Sequence, residues 1–279
     1  MSLDNKEKAL LEFISKFDTV MVALSGGLDS STVLWASIKA LGPDKVWAAT
    51  SSSYSLPAGE KEEALRIAKE VGLKEDHHII VATSEMDNPN YAENSVERCY
   101  FCKRELYTML STITQAKKIG VIFDGANVSD IGDFRPGYRA AQEKGVVSPL
   151  MEAGFIKEEV RELARKYDLS FSEKPAAACL ASRIPYGTRV TPERLTLVDN
   201  AEQAVRDLGF FGIRIRFHGP VARLEVREED IGRIFSDGIR DKLVAGIKNA
   251  GFKYVALDLE GYRTGSLNAE ITAERKSDG

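Results

Sequence analysis

TVMVALSGGLDSS, residues 19–31, is an apolar run that ends on two glycines, three serines and one aspartate. Thr19–Leu24 has the composition of a strand buried on both faces, and Ser30–Leu41 continues with the apolar spacing of a helix. Between them Gly26 and Gly27 permit a tight turn with inward-facing N–H groups. Ser25, Ser30 and Ser31 add hydroxyl donors at a helix N-terminus, where the backbone dipole favours an anion. Asp29 would repel a bare phosphate, so its place is on a Mg²⁺ that a polyphosphate carries with it. No lysine follows the glycines, and the spacing is not that of the GxxxxGK(S/T) nucleotide loop. The competing reading is a glycine-rich strand-to-helix turn with a serine cap and no ligand.

The alternation continues outward from this stretch. Apolar runs at Lys45–Ser51, His78–Ala82 and Gly120–Asp124 predict further strands, and Gly59–Val71, Arg98–Lys117 and Lys157–Tyr167 predict helices. Strands alternating with helices of this length imply βαβ crossovers and an α/β fold built on a doubly wound parallel sheet. Ser172–Pro192 contains three prolines and no clean periodicity, as a crossing between domains would. Beyond it lie a helix at Pro192–Leu208, short strands at Ile213–Phe217 and Val221–Val226, a helix at Ile239–Ala250 and a strand at Tyr254–Leu259. That pattern predicts a second, smaller α+β domain, with the chain divided into residues 1–182 and 183–279.

The 279 residues carry 42 acidic and 38 basic side chains, a net charge of −4, and are 43% hydrophobic and 29% charged. This balance excludes a disordered, collagen-like or disulfide-stapled chain. Its acidic total argues against non-specific nucleic-acid binding. The opening MSLDNKEKALLEF lacks a signal-peptide pattern, and no run approaches the ~18 apolar residues of a membrane span. A cytoplasmic protein with neither membrane nor nucleic acid as partner is expected. Arginine outnumbers lysine twelve to four beyond residue 182, whereas before it lysine leads fifteen to seven. Arginine offers a planar fork that matches phosphate and carboxylate oxygens in pairs, so the second domain is the expected home of a small anionic ligand.

Two more strand ends converge on the loop, because doubly wound sheets bind ligands at the carboxyl ends of their strands. One carries Ser51, Ser52, Ser53 and Tyr54. The other carries Asp124, Gly125, Ala126 and Asn127, with Asp130 and Arg135-Pro136-Gly137 downstream, although Asp-Gly also marks a plain turn. The only cysteines are Cys99 and Cys102, at the head of a predicted helix, and Cys179 in AAACLASR. They are too few and too odd in number for a disulfide framework. Three thiolates suit a 4Fe-4S cluster with one iron left open for a small sulfur species. Zinc would need a fourth ligand; a redox pair, or plain packing of small buried thiols, would need none.

SGGLDSS resembles the pyrophosphate loop of the N-type ATP pyrophosphatases, the PP-loop enzymes of adenine nucleotide alpha hydrolase-like fold, which cleave ATP between the α and β phosphates. CYFCK (99–103), ASRIPYGTRVT (181–191), RIRFH (214–218) and LDLEGYRTG (257–265) follow in order. With them the chain from about residue 10 to 268 resembles the ATP-dependent sulfur transferases of LarE type, which mature the nickel-pincer nucleotide of lactate racemase. The resemblance implies an enzyme that adenylates a carboxylate of pyridinium-3,5-biscarboxylic acid mononucleotide, releases pyrophosphate, and replaces AMP with sulfur to give a thiocarboxylate.

It also implies roles for individual residues. Ser25, Gly26, Gly27, Asp29, Ser30 and Ser31 would bind the ATP phosphates and Mg²⁺, with Ser51 and Ser53 near the adenine and Asp124, Gly125 and Asn127 completing the nucleotide site. Cys99, Cys102 and Cys179 would hold the 4Fe-4S cluster, with Cys179 itself an alternative sulfur donor. Ser182 and Arg183 would border the reaction centre, and Lys103 and Arg104 would steady the substrate carboxylates or the developing charge, a solvated helix face being the competing reading of those two. Arg104, Ser182, Arg214 and Arg216 would face the substrate, the last two alternating along one face of a strand as a forked clamp. Glu202 and Glu225 match two of three acidic positions of the family's second domain, but Arg233 stands at the third and counts against a three-carboxylate metal site. A homo-oligomer is implied as well. The rivals are a tRNA thiolase, for which a basic RNA-binding surface is expected, an ammonia-dependent amide synthetase, and a regulatory module that binds ATP without turnover.

Overall fold

The computed structural model describes residues 1–131, 136–175 and 178–263. Arg135, Ala176 and the Thr264-Gly265 end of the last motif lie outside them. The chain forms two compact units, one of Met1–Glu85 with Cys99–Ala177, the other of Met86–Arg98 with Ala178–Gly279.

In the first unit the elements run α1 (Leu3–Ile14), β1 (Val20–Ala23), α2 (Leu28–Leu41), β2 (Val46–Ser52), α3 (Glu60–Glu70), β3 (His78–Ala82), α4 (Arg98–Lys117), β4 (Val121–Phe123), α5 (Pro136–Glu143) and α6 (Lys157–Lys166). The four strands are parallel in the order β3-β2-β1-β4. Successive side chains of a strand point to opposite faces. Val20 and Val22 of β1 therefore join α1, α2, α3 and α6 in one apolar core, while Met21 joins α4 and Ala141 of α5 in another. Covering both faces explains why β1 reads as an unbroken apolar run. The strand order places β1 between β2 and β4. Chain direction across the sheet thus reverses at the carboxyl ends of β1 and β4, the switch point at which such sheets open a crevice.

The second unit contains α7 (Pro192–Arg206), β5 (Arg214–His218), β6 (Val221–Glu225), α8 (Ile239–Asn249) and β7 (Tyr254–Leu257). β5 and β6 are antiparallel, β6 and β7 parallel, in the order β5-β6-β7. Thr191 caps α7 by accepting the Arg194 N–H at 3.3 Å, and Pro192 occupies its first turn. Leu195, Val198, Ala201 and Val205 of α7 are buried together with Ile215 and Leu224 of the sheet.

The division differs from a single cut after residue 182, because residues 86–98 go with the second unit. Asn94 explains this. Its backbone is left-handed, with φ at 59°, and its side chain is fully buried. Its amide donates to the carbonyls of Ile184, Pro185 and Thr188 at 3.2, 2.7 and 3.0 Å. Gly187 and Val190 return backbone bonds to the carbonyls of Asn94 and Ala92. Among the described residues no helix is long and apolar enough to cross a membrane.

Candidate functional site

The loop between β1 and α2 forms as its sequence suggests. Gly26 takes φ at +71°, a region that only glycine enters without strain, and Gly27 stands at the N-cap of α2. The Ser25 N–H donates to Ser30 Oγ at 3.2 Å, and the two hydroxyls lie 3.0 Å apart. Ser31 is fully buried beneath them, and its hydroxyl has no hydrogen-bond partner among the described residues. Of the three serines it is the one that the loop does not present.

β4 delivers the second part of the site. A Cβ on Gly125 would stand 2.6 Å from the Ser30 backbone nitrogen, so only glycine lets the exit of β4 lie against the first turn of α2. This approach brings buried Asn127 to Asp29, whose Oδ1 accepts the Asn127 amide at 3.3 Å. Lys157, at the start of α6, pairs with Asp29 Oδ2. Asp124 accepts from Ser148 Oγ at 2.7 Å and from the Ala126 N–H at 3.1 Å, and Asp130 holds the Asn127 N–H at 3.0 Å.

At the end of β2, Ser51 Oγ lies 2.9 Å from Thr83 Oγ1, and Ser53 Oγ accepts the Ser55 N–H at 3.2 Å. Neighbouring Thr50 donates its single hydroxyl proton to the Leu24 carbonyl at 2.9 Å. His78 must therefore donate to Thr50 from Nε2, 2.9 Å away. Burial pulls the His78 pKa below its ordinary value and keeps the ring neutral. Three residues without a signal in the sequence thus enter here: Lys157, Thr50 and His78.

Cys99 and Cys102 lie three residues apart in the first turn of α4, on one face of the helix. Cys99 and Cys179 are exposed, Cys102 is half-buried, and none is in a disulfide. Lys103 follows directly. Its ammonium is held above the usual lysine range, first by the Tyr107 phenol, against the cost of its burial, and then by Cys102, Asp124 and Cys99. Tyr107 itself is pushed up to about 12 by burial. Arg104 points away into solvent, over the rings of Tyr100 and Phe101 at 5.4 and 5.5 Å. Among the described residues no group of three or more His, Cys, Asp and Glu side chains is gathered to hold a metal ion. The donor set fits an iron–sulfur group in kind, through soft thiols that are not packed away. Cys99 and Cys102 belong to the first unit and Cys179 to the second.

In the second unit arginines and glutamates form a buried lattice. Arg183, only 2% exposed, meets fully buried Glu202 through Nε and Nη2 at 2.8 and 3.1 Å, and its Nη1 donates to the carbonyls of Ala178 and Cys179 and to Ser182 Oγ. Arg183 therefore sets the backbone around Cys179. Arg214 and Arg216 do share one face of β5, yet they are not a matched clamp. The Arg216 fork is committed to Glu225, with both contacts at 2.9 Å, and its third nitrogen donates to the Ser182 carbonyl. Arg214 rests against the Tyr262 ring, 4.8 Å from its centroid, and burial followed by the nearby charge of Arg183 pulls its pKa down. Its Nη1 donates to the Ile213 carbonyl at 2.6 Å. Glu202 also accepts from Arg206 and the Ile215 N–H, and Glu225 from Arg223, so arginines occupy both acids. Arg233 donates to the carbonyls of Leu208 and Gly209. The third position thus carries a guanidinium bound to backbone carbonyls, where a three-carboxylate site would need an acid.

Known proteins resemble this chain along most of its length. Residues 9–178 match the NAD synthase family. An uncharacterized protein of Synechocystis is 41% identical over 270 residues, covering 97% of this chain and 99% of its own. The pyridinium-3,5-bisthiocarboxylic acid mononucleotide synthase of Lactiplantibacillus plantarum is 34% identical over 273 residues, covering 97% and 96%. An uncharacterized protein of Methanocaldococcus jannaschii is 29% identical over 172 residues, covering 62% and 66%.

Proposed function

The chain belongs to the NAD synthase family, and from that membership and its phosphate loop we propose that it is an ATP-dependent sulfur transferase acting on a carboxylated pyridinium mononucleotide. The observation that carries this reading is the placement of Asp29, between Asn127 and Lys157 at the switch point and next in the chain to Ser30, whose hydroxyl meets that of Ser25. That arrangement suits a metal-bound triphosphate. The near-full-length identity to the bisthiocarboxylic acid mononucleotide synthase supports the substrate class.

In this reading a carboxylate oxygen of the pyridinium-3,5-biscarboxylic acid mononucleotide attacks the α-phosphate of ATP. The P–O bond to the β-phosphate breaks, and pyrophosphate departs into the loop. The Gly27 N–H, Ser25 and Ser30 neutralise its growing charge, with Mg²⁺ on Asp29. Asp29 would hold that Mg²⁺, and Lys157, freed from the carboxylate, would be within reach of a phosphate oxygen. Sulfur then bonds to the acyl carbon while the acyl–oxygen bond to AMP breaks. Arg214 holds the substrate phosphate, Arg183 fixes the Cys179 backbone, and Arg216 acts through Ser182 and Glu225. Cys99, Cys102 and Cys179 would hold a 4Fe-4S cluster, which supplies an iron position not taken by cysteine where sulfide can be carried. Lys103 would stabilise the Cys99 and Cys102 thiolates. The protein works in the reducing cytoplasm as a homo-oligomer, and its product serves the nickel-pincer nucleotide of lactate racemase.

The experiment is incubation of anaerobically prepared protein with ATP, Mg²⁺, sulfide and the biscarboxylate mononucleotide, followed by pyrophosphate assay and mass spectrometry of the product. Oxygen-to-sulfur exchange on the substrate, with one pyrophosphate per exchange, is expected. Iron and sulfide analysis of the same protein, and of Cys99→Ala and Cys179→Ala, tests the cluster. Stoichiometric zinc without iron overturns it. Amide formation is the second reading, favoured by the family's own name, and ammonia in place of sulfide in the same assay distinguishes it.

A further inference from the structure

The phosphate loop is braced from behind by a lysine far away in the chain. Lys174, whose side chain is 14% exposed, donates to the Gly26 carbonyl at 2.9 Å and to Glu60, the first residue of α3, at 2.8 Å. Gly26 is pressed against α3 as well, since a Cβ there would meet the Ala64 Cβ at 3.3 Å. The peptide joining Gly26 to Gly27 is a rigid trans plane, so its C=O and N–H point in opposite directions. A carbonyl fixed outward on Lys174 therefore fixes the next N–H inward. The Gly27 N–H indeed faces the loop's interior, where among the described residues it reaches only Ser25 Oγ, at a long 3.4 Å. A phosphate oxygen would make a shorter, charge-assisted bond at that donor.

We propose that Lys174 is a positioning residue for the triphosphate: by holding the Gly26 carbonyl it aims the Gly27 N–H at the phosphates beyond the α position. Glu60 keeps the ammonium in place and balances its charge, so that Lys174 orients the peptide without itself competing for ATP. This inference rests on the ATP reading above and extends it to a residue 148 positions from the glycine it holds.

The test compares binding of α,β-methylene-ATP with Mg²⁺, and of AMP, by calorimetry on the full chain and on Lys174→Met and Lys174→Arg. Lys174→Met is expected to weaken the triphosphate analogue about tenfold, the worth of one charge-assisted hydrogen bond, and to leave AMP within about twofold. Lys174→Arg, which keeps a charged donor, is expected to recover most of that loss. Equal weakening of both ligands, or unchanged affinity for the analogue, overturns the proposal. Thermal melts verify that each variant is folded. If Lys174→Met does not fold, Lys174→Gln is judged by the same split between the two ligands. Wild-type protein that binds neither ligand overturns the ATP reading, and this inference with it.

Discussion

Lys157 places its ammonium on the carboxylate of Asp29, the side chain assigned to the metal ion of ATP. Both residues are partly exposed, at 32% and 23% of their side chains, so the pair contributes no more than about 1 kcal/mol and yields readily to a divalent cation. In the proposed reaction lysine and Mg²⁺ would compete for one carboxylate. Lys157→Ala should leave thermal stability nearly unchanged, lower the Mg²⁺ concentration needed for half-maximal pyrophosphate release, and raise that for ATP. Asp29→Ala should cut pyrophosphate release at least ~100-fold at every Mg²⁺ concentration. Titrations of both ions against pyrophosphate release check the pair of expectations.

Arg214 and Arg216 look equivalent in the sequence RIRFH and should behave differently. Arg214→Ala should weaken the mononucleotide by about 2–5 kcal/mol, measured as a dissociation constant. Arg216→Ala removes both Arg216 contacts to buried Glu225, and its main effect should be a lower melting temperature.

The Arg183–Glu202 pair is buried on both sides, at 2% and 0% exposure. Removing one partner leaves an uncompensated charge in the interior. Glu202→Ala should therefore cost about 3–5 kcal/mol in urea unfolding, and replacing Arg183 together with Glu202 by apolar residues should cost less than the sum of the single changes.

Acid should weaken the first unit through Glu7 of α1. Burial raises the Glu7 pKa, but Lys166, Lys39 and Tyr167 outweigh it and hold the carboxyl at about 2, below the ordinary 4.5. A folded-state pKa below the unfolded one means that the contribution is complete above pH 4.5 and is lost as pH falls towards 2. Solvent screening of the lysines limits it to on the order of 1 kcal/mol. The stability gap between wild type and Glu7→Gln should be present at pH 7 and close across that window, as read by urea midpoints.

The strands, the helices and the phosphate loop were legible because each depends on local pattern: apolar runs, helical spacing, two glycines. β1 and β3 lie within two residues of their expected limits. What the sequence concealed depends on partners distant in the chain. Lys157 reads as the solvated start of KEEVR until Asp29 is seen 128 residues away. Arg216 reads as a clamp because the Glu225 that occupies it lies diagonally across the strand pair, opposite Arg214, a matter of register. The division after residue 182 followed the prolines, yet Asn94 carries no compositional signal of its three carbonyl acceptors beyond residue 183.

Asn94 also sets an order of events during synthesis. It leaves the ribosome 94 residues ahead of Thr188, the farthest carbonyl that its amide binds. At about 5–20 residues per second that is a wait of roughly 5–20 s with a polar clasp open and no acceptors yet made. Meanwhile β1, β2 and β3, all encoded before it, can pair. The stretch that leads into Cys99 therefore reaches its final place only after Ile184, Pro185 and Thr188 have emerged, by which time every strand and helix of the first unit has been made.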